Sequence, residues 1–424
     1  HDIIPIIQRQ IDYGWLLDQE YAWGLLGTLK EALNEAQDIV REVFKPIAVP
    51  VREIAPKYNK DGTKSVVGLK FLGDNWDTVD ARFTRIEFEE LNLGSRQQVG
   101  KRLMRLGWVP ESFTEKTEEP KIDDDILMEI EGIPEAEHIQ KYMMLSKRIA
   151  AVQSWLDAVG DDGRVHGDID TLGTATHRMS HKNPNMAQVP SGDSPYGPEC
   201  RRCWIAKKGF KIVGTDASSA QLRMLAHYMK DQSYIDTVCT GNQEEGTDIH
   251  SVNQRAAGLP TRPNAKTFIY AYLFGAGDAK IGKIIGGTAG AGRKIKAAFL
   301  KGLPALKALK DRLDNFSTHV PGLDGRRVAI TSNHVKLNYL LMSAEAILMK
   351  KALTILDEYA IIWGIEYEFV GNIHDELQAE VREDQADKFG YLAVESIKAA
   401  AVQLNMRCPM DGEYKVGDNW AETH

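Results

Sequence analysis

The spacing of apolar positions changes along the chain, and this change predicts where helices give way to strands. Before residue 160, apolar residues recur every three to four positions in segments of good helix formers, such as 18–44 and 140–159. Residues 45–88 interrupt this pattern with Pro, Gly and short alternating runs, including the turn signal "NKDGTK". The first part of the chain is therefore predicted to be helical, with an insertion of one or two hairpins.

The second part of the chain has a mixed α/β pattern. The segment "GFKIVGTD" predicts a short buried strand that ends on Asp216 and leads directly into a helix. The segment "IEYEFVGNIHDELQAEV" predicts two strands around a tight turn at His374 and Asp375. Residues 232–315 between these strands are predicted to be helical and are rich in Lys. The pattern predicts an α+β chain.

The composition is that of an ordinary globular protein of 424 residues, with 43% hydrophobic and 26% charged residues. No apolar run approaches the ~20 residues that a membrane span needs, and no secretory signal pattern begins the sequence, so neither a membrane nor a secretory route is expected. Four cysteines are too few for a disulfide framework, and the single CxxC in "ECRRCW" lacks a second pair for zinc. Reduced thiols are expected.

The net charge of −8 argues only weakly against binding of nucleic acid, because the charges are unevenly distributed. Acidic residues concentrate in "EFEELN" and "TEEPKIDDDILMEIEG". Basic residues concentrate in "GKRLMRLG", "CRRCWIAKKGFK" and "AGRKIKAAFLKG". Local basic patches decide where a polyanion can lie, so the bulk charge leaves the question open.

The segment "RPNAKTFIYAYLFGAG" places two cations and then two aromatic residues four positions apart: Arg262, Lys266, Tyr270 and Phe274. A helix would align them along one face over about 18 Å, which is about the length of an extended nucleoside triphosphate. Arginine and lysine can bind its phosphates, and an aromatic ring can lie against sugar and base. The alternative is a solvated cationic edge beside a buried aromatic edge.

Two aspartates favour the interpretation that residues 262–274 bind a nucleoside triphosphate. Asp216 ends the predicted strand, and Asp375 lies in the tight turn. Carboxylates held at strand ends can share divalent cations, and two Mg²⁺ ions about 4 Å apart would activate a hydroxyl and stabilise a leaving phosphate. For either aspartate alone, a helix cap or a turn former is the alternative.

The segments "DASSAQLR", "RPNAKTFIYAYLFG" and "HDE" resemble motifs A, B and C of family A DNA polymerases, in the family's order. Flanking segments, among them "THRMSHKNPNMAQVP", "GLDGRRV" and "NHVKLNYLL", extend the similarity over essentially everything after Phe88. The set is most similar to replicative polymerases of short-tailed phages. The resemblance implies a right-hand polymerase fold with an antiparallel-sheet palm, helical fingers and a helical thumb. The implied divisions are thumb 1–160 with the insertion 45–88, palm 161–231, fingers 232–317 and second palm part 318–424.

The resemblance also implies a role for each matching residue. Asp216, Asp375 and the Ala217 carbonyl would bind metal, with Glu376 as a weaker acidic neighbour. The catalytic lysine would be Lys266, which holds the triphosphate and can protonate the leaving pyrophosphate. Residues expected to contact the dNTP are Arg262, Lys266, His250, Tyr270, Gln221 and Phe274. Residues expected to contact primer–template DNA are Arg178, His334, Asn338, His374 and Gln188.

The implied cofactor is a pair of Mg²⁺ ions, for which Mn²⁺ can substitute. The implied partners are primer–template DNA, dNTPs and an accessory protein of unknown identity. We expect a monomer that acts in the cytoplasm of a bacterial host. No DxE motif of a 3′–5′ exonuclease domain precedes the thumb in this sequence, so either an upstream part of the protein has been removed or proofreading is supplied elsewhere. The insertion 45–88 is short, and we do not expect it to bind thioredoxin as the long insertion of phage relatives does.

Some positions depart from the family pattern. Gln221 replaces a motif A glutamate that usually excludes the ribose 2′-OH, and Phe274 replaces the tyrosine whose hydroxyl pairs with it. These changes predict dNTP preference with a leakier gate. Tyr270, where many relatives have phenylalanine, predicts efficient use of dideoxynucleotides. Met342 replaces a glutamine that contacts the minor groove, which puts one fidelity contact in doubt.

Three other functions compete with DNA synthesis. A single-subunit RNA polymerase shares the aspartates and the lysine, but Phe274 and the bulky Gln221 argue against it. A catalytically silent nucleic-acid-binding protein would not need the intact acidic and basic residues. A two-metal phosphohydrolase would not need a cationic helix of triphosphate length. Primer extension with dNTPs or rNTPs, with and without Mg²⁺, separates all four.

Overall fold

The computed structural model describes residues 2–55, 57–66, 70, 82–114 and 117–423. Part of the predicted insertion, residues 56, 67–69 and 71–81, therefore lies outside the described residues. Among the described helices, none combines the length and the apolar character that crossing a membrane requires.

Helices and strands are numbered in chain order over the described residues. The helices are α1 (Ile3–Tyr13), α2 (Gln19–Val43), α3 (Arg96–Arg105), α4 (Asp124–Met128), α5 (Glu135–Ala158), α6 (Gly197–Arg202), α7 (Ala220–Met229), α8 (Gln232–Thr240), α9 (Ile249–Ala257), α10 (Arg262–Leu273), α11 (Asp278–Lys283), α12 (Ala289–Gly302), α13 (Pro304–Asp314), α14 (Lys336–Ile362) and α15 (Ala386–Gln403). The strands are β1 (Trp15–Leu17), β2 (Ile47–Ile54), β3 (Phe83–Glu89), β4 (Arg164–Val165), β5 (Asp168–Asp170), β6 (Ser180–Lys182), β7 (Trp204–Ile205), β8 (Phe210–Ala217), β9 (His319–Pro321), β10 (Arg327–Ala329), β11 (Tyr367–Ile373), β12 (Glu376–Arg382) and β13 (Gly412–Gly417). The predicted helices at 18–44 and 140–159 are confirmed as α2 and α5.

The chain forms two compact units, residues 24–152 and residues 1–23 with 153–424. The smaller unit combines helices with one hairpin. Its core contains Leu103 of α3 and Ile139 of α5, both fully buried. β2 pairs with β3 in antiparallel register, which confirms a hairpin in the insertion.

The larger unit is built on an antiparallel sheet with strand order β11-β12-β8-β13. β8 and β12 are its central strands, and most of their residues are buried. The turn between β11 and β12 consists of His374 and Asp375, as the sequence predicts, and His374 adopts a positive φ of 59°. The predicted helical segment 232–315 contains α8 to α13 and lies between β8 and the later strands of the sheet.

One face of this sheet is apolar. Leu377, Ala379 and Val381 alternate along β12 and join a core that also contains Phe389 of α15 and Leu348 of α14. α15 packs against β8, β12 and β13, and α14 packs against α15. This core supports the strand ends that carry the predicted aspartates.

The opposite face of the sheet is buried but polar. Glu380 of β12 is fully buried. Its carboxylate accepts a hydrogen bond from the Tyr13 hydroxyl of α1. The Arg164 guanidinium of β4 donates to both carboxylate oxygens, at 3.2 Å each. The Nζ atom of Lys207 lies 3.7 Å from the same carboxylate. These contacts fix α1 and β4 on the sheet.

The cysteines are free thiols, as their number predicts. Cys200 and Cys203 of the CxxC motif are buried in the protein. The Sγ atoms of Cys239 and Cys408 are 3.8 Å apart, which is beyond bonding distance.

We predict that Glu380→Ala lowers the free energy of unfolding by about 3–5 kcal/mol, because it leaves Arg164 buried without its carboxylate. Urea denaturation measures this change. The matched control is Glu366→Ala, whose side chain is 59% exposed and pairs with Arg382 at 3.4 Å. This surface pair is worth less than about 1 kcal/mol. Equal losses in the two variants would contradict the role given to Glu380.

Candidate active site

Asp216 and Asp375 lie side by side at the ends of neighbouring strands. Asp216 of β8 pairs with Glu376, the first residue of β12, and Asp375 immediately precedes Glu376. The backbone N–H of Ala217 donates a hydrogen bond to the Asp375 carbonyl oxygen at 3.2 Å. Asp216 is exposed and Asp375 is half-buried. Antiparallel pairing therefore brings together two carboxylates that are far apart in sequence.

The environment of Asp375 disfavours its charge. Burial raises the pKa of the Asp375 carboxyl, and Glu376 raises it further. Arg178 and His374 offset part of this effect by lowering the same pKa. A desolvated carboxylate beside a second one is stabilised by binding a cation.

Glu376 points into a structural cluster. Its Oε1 atom accepts hydrogen bonds from Trp420 Nε1 and Gln378 Nε2, both at 2.6 Å. The Arg201 guanidinium lies 3.6 Å from the same oxygen and stacks over the Trp420 ring. Glu376 thus anchors the last residues of the chain to β12, and its predicted role as a weaker acidic neighbour of the metal site stays a prediction.

The cationic residues collect at the start of α10. Arg262 is the first residue of this helix, and its Nε and terminal nitrogen donate to Asp248 Oδ1 at 3.1 and 2.9 Å. Asp248 also caps α9 by accepting from the His250 backbone N–H at 3.0 Å. Burial lowers the pKa of His250, and Arg262 and Lys266 lower it further. His250, Arg262 and Lys266 are therefore neighbours, as predicted.

Asp248 is a site residue that the sequence analysis missed. Burial raises the pKa of its carboxyl, but hydrogen bonds from Arg262, Ser251 and the His250 backbone lower it more, to about 2. The available signal was "TDIH", an aspartate directly before a helix start. Asp248 fixes both Arg262 and the first turn of the helix that carries His250.

The aromatic end of α10 reaches the aspartates. Burial raises the pKa of Tyr270, and Asp375 and Asp216 raise it further, so both carboxylates lie near this side chain. The His250 and Tyr270 ring centroids are 6.3 Å apart. α10 therefore runs from the cationic group to the carboxylates.

Phe274 is not a helical residue, which corrects the predicted four-residue stripe. It caps the C-terminus of α10 and is 49% exposed. Gly275 adopts a positive φ of 79°, which ends the helix at this point. The stripe on the helix consists of Arg262, Lys266 and Tyr270.

Gln221 of α7 is buried and binds a residue that was not predicted. Its Nε2 donates to Glu345 of α14, and Arg178 forms an ion pair with the other oxygen of that carboxylate. Glu345 is only 1% exposed. The sequence offered one signal for Glu345, which is an acidic residue within an otherwise apolar helical segment. Glu345 also lies on the same helical face as Asn338, which precedes it by seven positions.

The loop before Arg178 is held by α14. Lys350 Nζ donates to the carbonyl oxygens of Thr171 and His177, both at 2.5 Å. Burial lowers the pKa of Lys350 to about 8. The Thr174 hydroxyl donates to the Arg178 carbonyl at 3.0 Å. The backbone around Arg178 is therefore held by hydrogen bonds from α14 and from its own loop.

The other residues predicted to contact DNA lie on separate elements. Asn338 is in the first turn of α14, and its buried Oδ1 has no hydrogen-bond partner among the described residues. His334 is exposed in a 3₁₀ turn directly before α14, where its Nε2 lies 3.2 Å from the Ser332 hydroxyl. His374 lies in the turn before β12, where partial burial of its ring and the nearby Arg178 charge both lower the pKa of the imidazole. Gln188 is exposed at the end of another 3₁₀ turn.

The donor atoms at the strand ends fit a divalent cation of the Mg²⁺ type. Among the described residues, no three or more His, Cys, Asp and Glu side chains lie close enough to bind a metal alone. Mg²⁺ is usually held by one or two carboxylates, with water and substrate phosphates as its other ligands. Asp216, Asp375 and the Ala217 carbonyl supply such a set of oxygen atoms.

Comparison with known proteins defines the class to which this fold and site belong. The sequence model of DNA polymerase family A matches residues 70–422. The DNA-directed DNA polymerases of Enterobacteria phage T3 and Escherichia phage T7 are each 36% identical over 391 residues, which is 81% of this chain and 54% of theirs. The POL domain of Pol1 from M. smegmatis, solved in complex with DNA primer-template and dNTP, is similar with a TM-score of 0.79 at 19% identity. The match covers 100% of this chain and 70% of that one.

The chain therefore belongs to DNA polymerase family A. The predicted right-hand polymerase fold with an antiparallel palm sheet is confirmed. The family implies a divalent metal cofactor. The chain spans about half the length of the phage relatives.

We predict that Asp248→Asn lowers the free energy of unfolding by about 1–2 kcal/mol at pH 7, because Asn keeps the helix cap but removes the charge that binds Arg262. The pKa of Asp248 is depressed in the folded protein, so this stabilisation is complete above about pH 4. It is lost as the pH falls toward about 2. Urea denaturation of both proteins across this range measures the difference.

The control is Asp231→Asn, which changes the cap of α8, where Asp231 accepts from the Ser233 and Tyr234 backbone N–H groups. Asn caps a helix as well as Asp does, so the expected change is below about 0.5 kcal/mol. A pH-independent difference between the wild type and Asp248→Asn would refute the electrostatic account.

Proposed function

We propose that this chain is a DNA-templated DNA polymerase that adds dNTPs to a primer 3′-OH and releases pyrophosphate, in phage genome replication. The observation that carries the proposal is the convergence of Asp216, Asp375 and α10, with Tyr270 near both carboxylates. Membership of DNA polymerase family A and the names of the phage relatives support it.

The cofactor in this proposal is a pair of Mg²⁺ ions, with Mn²⁺ as a substitute. Asp216, Asp375 and the Ala217 carbonyl would hold the pair, since they supply oxygen atoms at one edge of the sheet. When bound, the ions would activate the primer hydroxyl and stabilise charge on the leaving pyrophosphate. The strand pairing of β8 and β12 keeps both carboxylates in place, so their geometry needs little reorganisation during the reaction.

The cationic residues would bind the triphosphate. Arg262 and Lys266 are one helical turn apart on α10, and a guanidinium and an ammonium suit successive phosphates. His250 is kept neutral by burial and by its cationic neighbours, so it would act as a hydrogen-bond donor. Lys266 is exposed, and in this proposal it would protonate the leaving pyrophosphate. Tyr270 would pack against the sugar and base.

The remaining roles concern DNA and the sugar. Gln221 and Phe274 would border the 2′ position of the dNTP. Residues that would contact the primer–template are Arg178, His334, Asn338, His374 and Gln188. Two observations support such contacts: Asn338 Oδ1 has no hydrogen-bond partner in the described part of the chain, and Arg178 is half-buried.

The larger organisation follows from the same proposal. The thumb would comprise residues 1–160, the palm 161–231 and 318–424, and the fingers 232–317. The protein would act as a monomer, with an accessory protein of unknown identity, in the cytoplasm of a bacterial host. The phage origin of the most similar listed relatives supports this location.

We predict that Asp375→Asn lowers kcat for primer extension at least about 10³-fold, because one carboxylate of the metal site is lost. Extension of a labelled primer with dNTPs and Mg²⁺ measures this. Asp387→Asn, an exposed aspartate on α15, is the matched control and should extend primers at the wild-type rate. Undiminished extension by Asp375→Asn, or incorporation of rNTPs in preference to dNTPs, would overturn the proposed function.

We predict that Tyr270→Phe raises selectivity against dideoxynucleotides at least about tenfold. The reason is that the tyrosine hydroxyl can replace the missing 3′-OH of a dideoxynucleotide. Loss of one hydrogen bond changes a rate ratio by about tenfold. Chain-termination assays with mixed dNTPs and dideoxynucleotides measure the ratio of incorporation. Tyr272→Phe on the same helix is the control, because this side chain lies in the apolar core. Strong dideoxynucleotide rejection by the wild type would refute the role of the Tyr270 hydroxyl.

A further inference from the structure

Glu345 places a carboxylate deep inside α14. The residue is 1% exposed, and its helical neighbours Ala344, Ala346 and Leu348 are buried apolar residues. A buried carboxylate is costly unless its oxygen atoms are paired or hydrogen-bonded. The position therefore requires partners from other parts of the chain.

The two oxygens of Glu345 bind two different elements. Oε2 accepts from the Gln221 side-chain amide of α7, and Oε1 pairs with Arg178 in the loop before β6. A carboxylate only accepts hydrogen bonds, so an amide NH₂ group and a guanidinium are complementary partners. Glu345 therefore joins α7, α14 and the Arg178 loop through one buried group.

The identity of residue 221 matches this arrangement. A glutamate at position 221 would face the Glu345 carboxylate in a buried site and repel it. Phe274 has no hydroxyl that could receive or donate a hydrogen bond, and it is about half exposed at the C-cap of α10. Gln221 and Glu345 thus form a matched pair in which the ionisable group lies on α14. Burial raises the pKa of the Glu345 carboxyl, and Arg178 and the Gln221 amide lower it.

Arg178 keeps hydrogen-bonding capacity for a ligand. Its Nε atom is buried and has no partner among the described residues. Lys350 fixes the carbonyls of Thr171 and His177 just before it, and Glu345 fixes one end of its guanidinium. Both fixing groups, Glu345 and Lys350, come from α14 and are five positions apart.

We propose that Glu345 is a positioning residue that sets sugar selection through Gln221 and binding of the primer terminus through Arg178. This inference rests on the proposed function, since it takes Gln221 to border the sugar and Arg178 to contact the primer–template. Loss of the Glu345 carboxyl group frees the Gln221 amide to turn toward a ribose 2′-OH and frees Arg178 from its bound orientation.

Glu345→Gln tests the proposal in primer-extension assays. The KM for primer–template should rise about tenfold, and the ratio of kcat/KM for dNTP over rNTP should fall about tenfold, as expected for loss of a charged hydrogen bond. Glu358→Gln, an exposed glutamate on the same helix, is the matched control and should change neither quantity. A Glu345→Gln protein with a lowered Tm but unchanged KM and selectivity would overturn the inference.

If Glu345→Gln does not fold, exchanging the carboxylate and the amide between positions 221 and 345 still tests the proposal. Gln221→Glu places two carboxylates in contact and should lose dNTP incorporation strongly. The double variant Gln221→Glu with Glu345→Gln again has one carboxylate and one amide. Its kcat/KM for dNTP should be at least about tenfold higher than that of Gln221→Glu alone. Failure of this recovery would overturn the inference. If the wild type does not extend primers at all, the proposed function itself fails.

Discussion

The antiparallel pairing of β8 with β12 is the interaction on which the rest of the site depends. It places Asp216 beside the residue that follows Asp375, and the hydrogen bond from the Ala217 N–H to the Asp375 carbonyl locks the turn against β8. Neighbouring carboxylates repel each other in the absence of a cation. The apolar core below the sheet and the buried Glu380 cluster above it hold the strands together despite that repulsion.

The helix α10 depends on a second constraint, the pairing of Arg262 with Asp248 at its start. This pair fixes the cationic end of the helix, and Tyr270 at the other end lies near the two aspartates. The cationic end of α10 is therefore fixed by an ion pair, and the buried Phe268 and Ile269 hold the rest of the helix in the core. A helix held in this way presents its side chains to a ligand at little entropic cost.

Much of the fold and site was predictable because the signals are local. A hydrophobic run that ends on Asp216 and a turn at His374 and Asp375 define strand ends without any tertiary information. The end of α10 was also readable, since Gly275 marks it, yet the periodic spacing was extended to Phe274. Glu345 was not predictable in the same way. Its partners Gln221 and Arg178 are distant in sequence, and only the folded arrangement shows why an acid lies within an apolar helix.

The central claim is that a divalent metal, the two aspartates and α10 together bind a nucleoside triphosphate. The most direct measurement is the anomalous scattering of Mn²⁺ in crystals of this protein with a terminated primer, its template and a dNTP. We predict a peak between the carboxylates of Asp216 and Asp375, with the triphosphate along Lys266 and Arg262. A peak elsewhere, or a dNTP bound away from α10, would contradict the account.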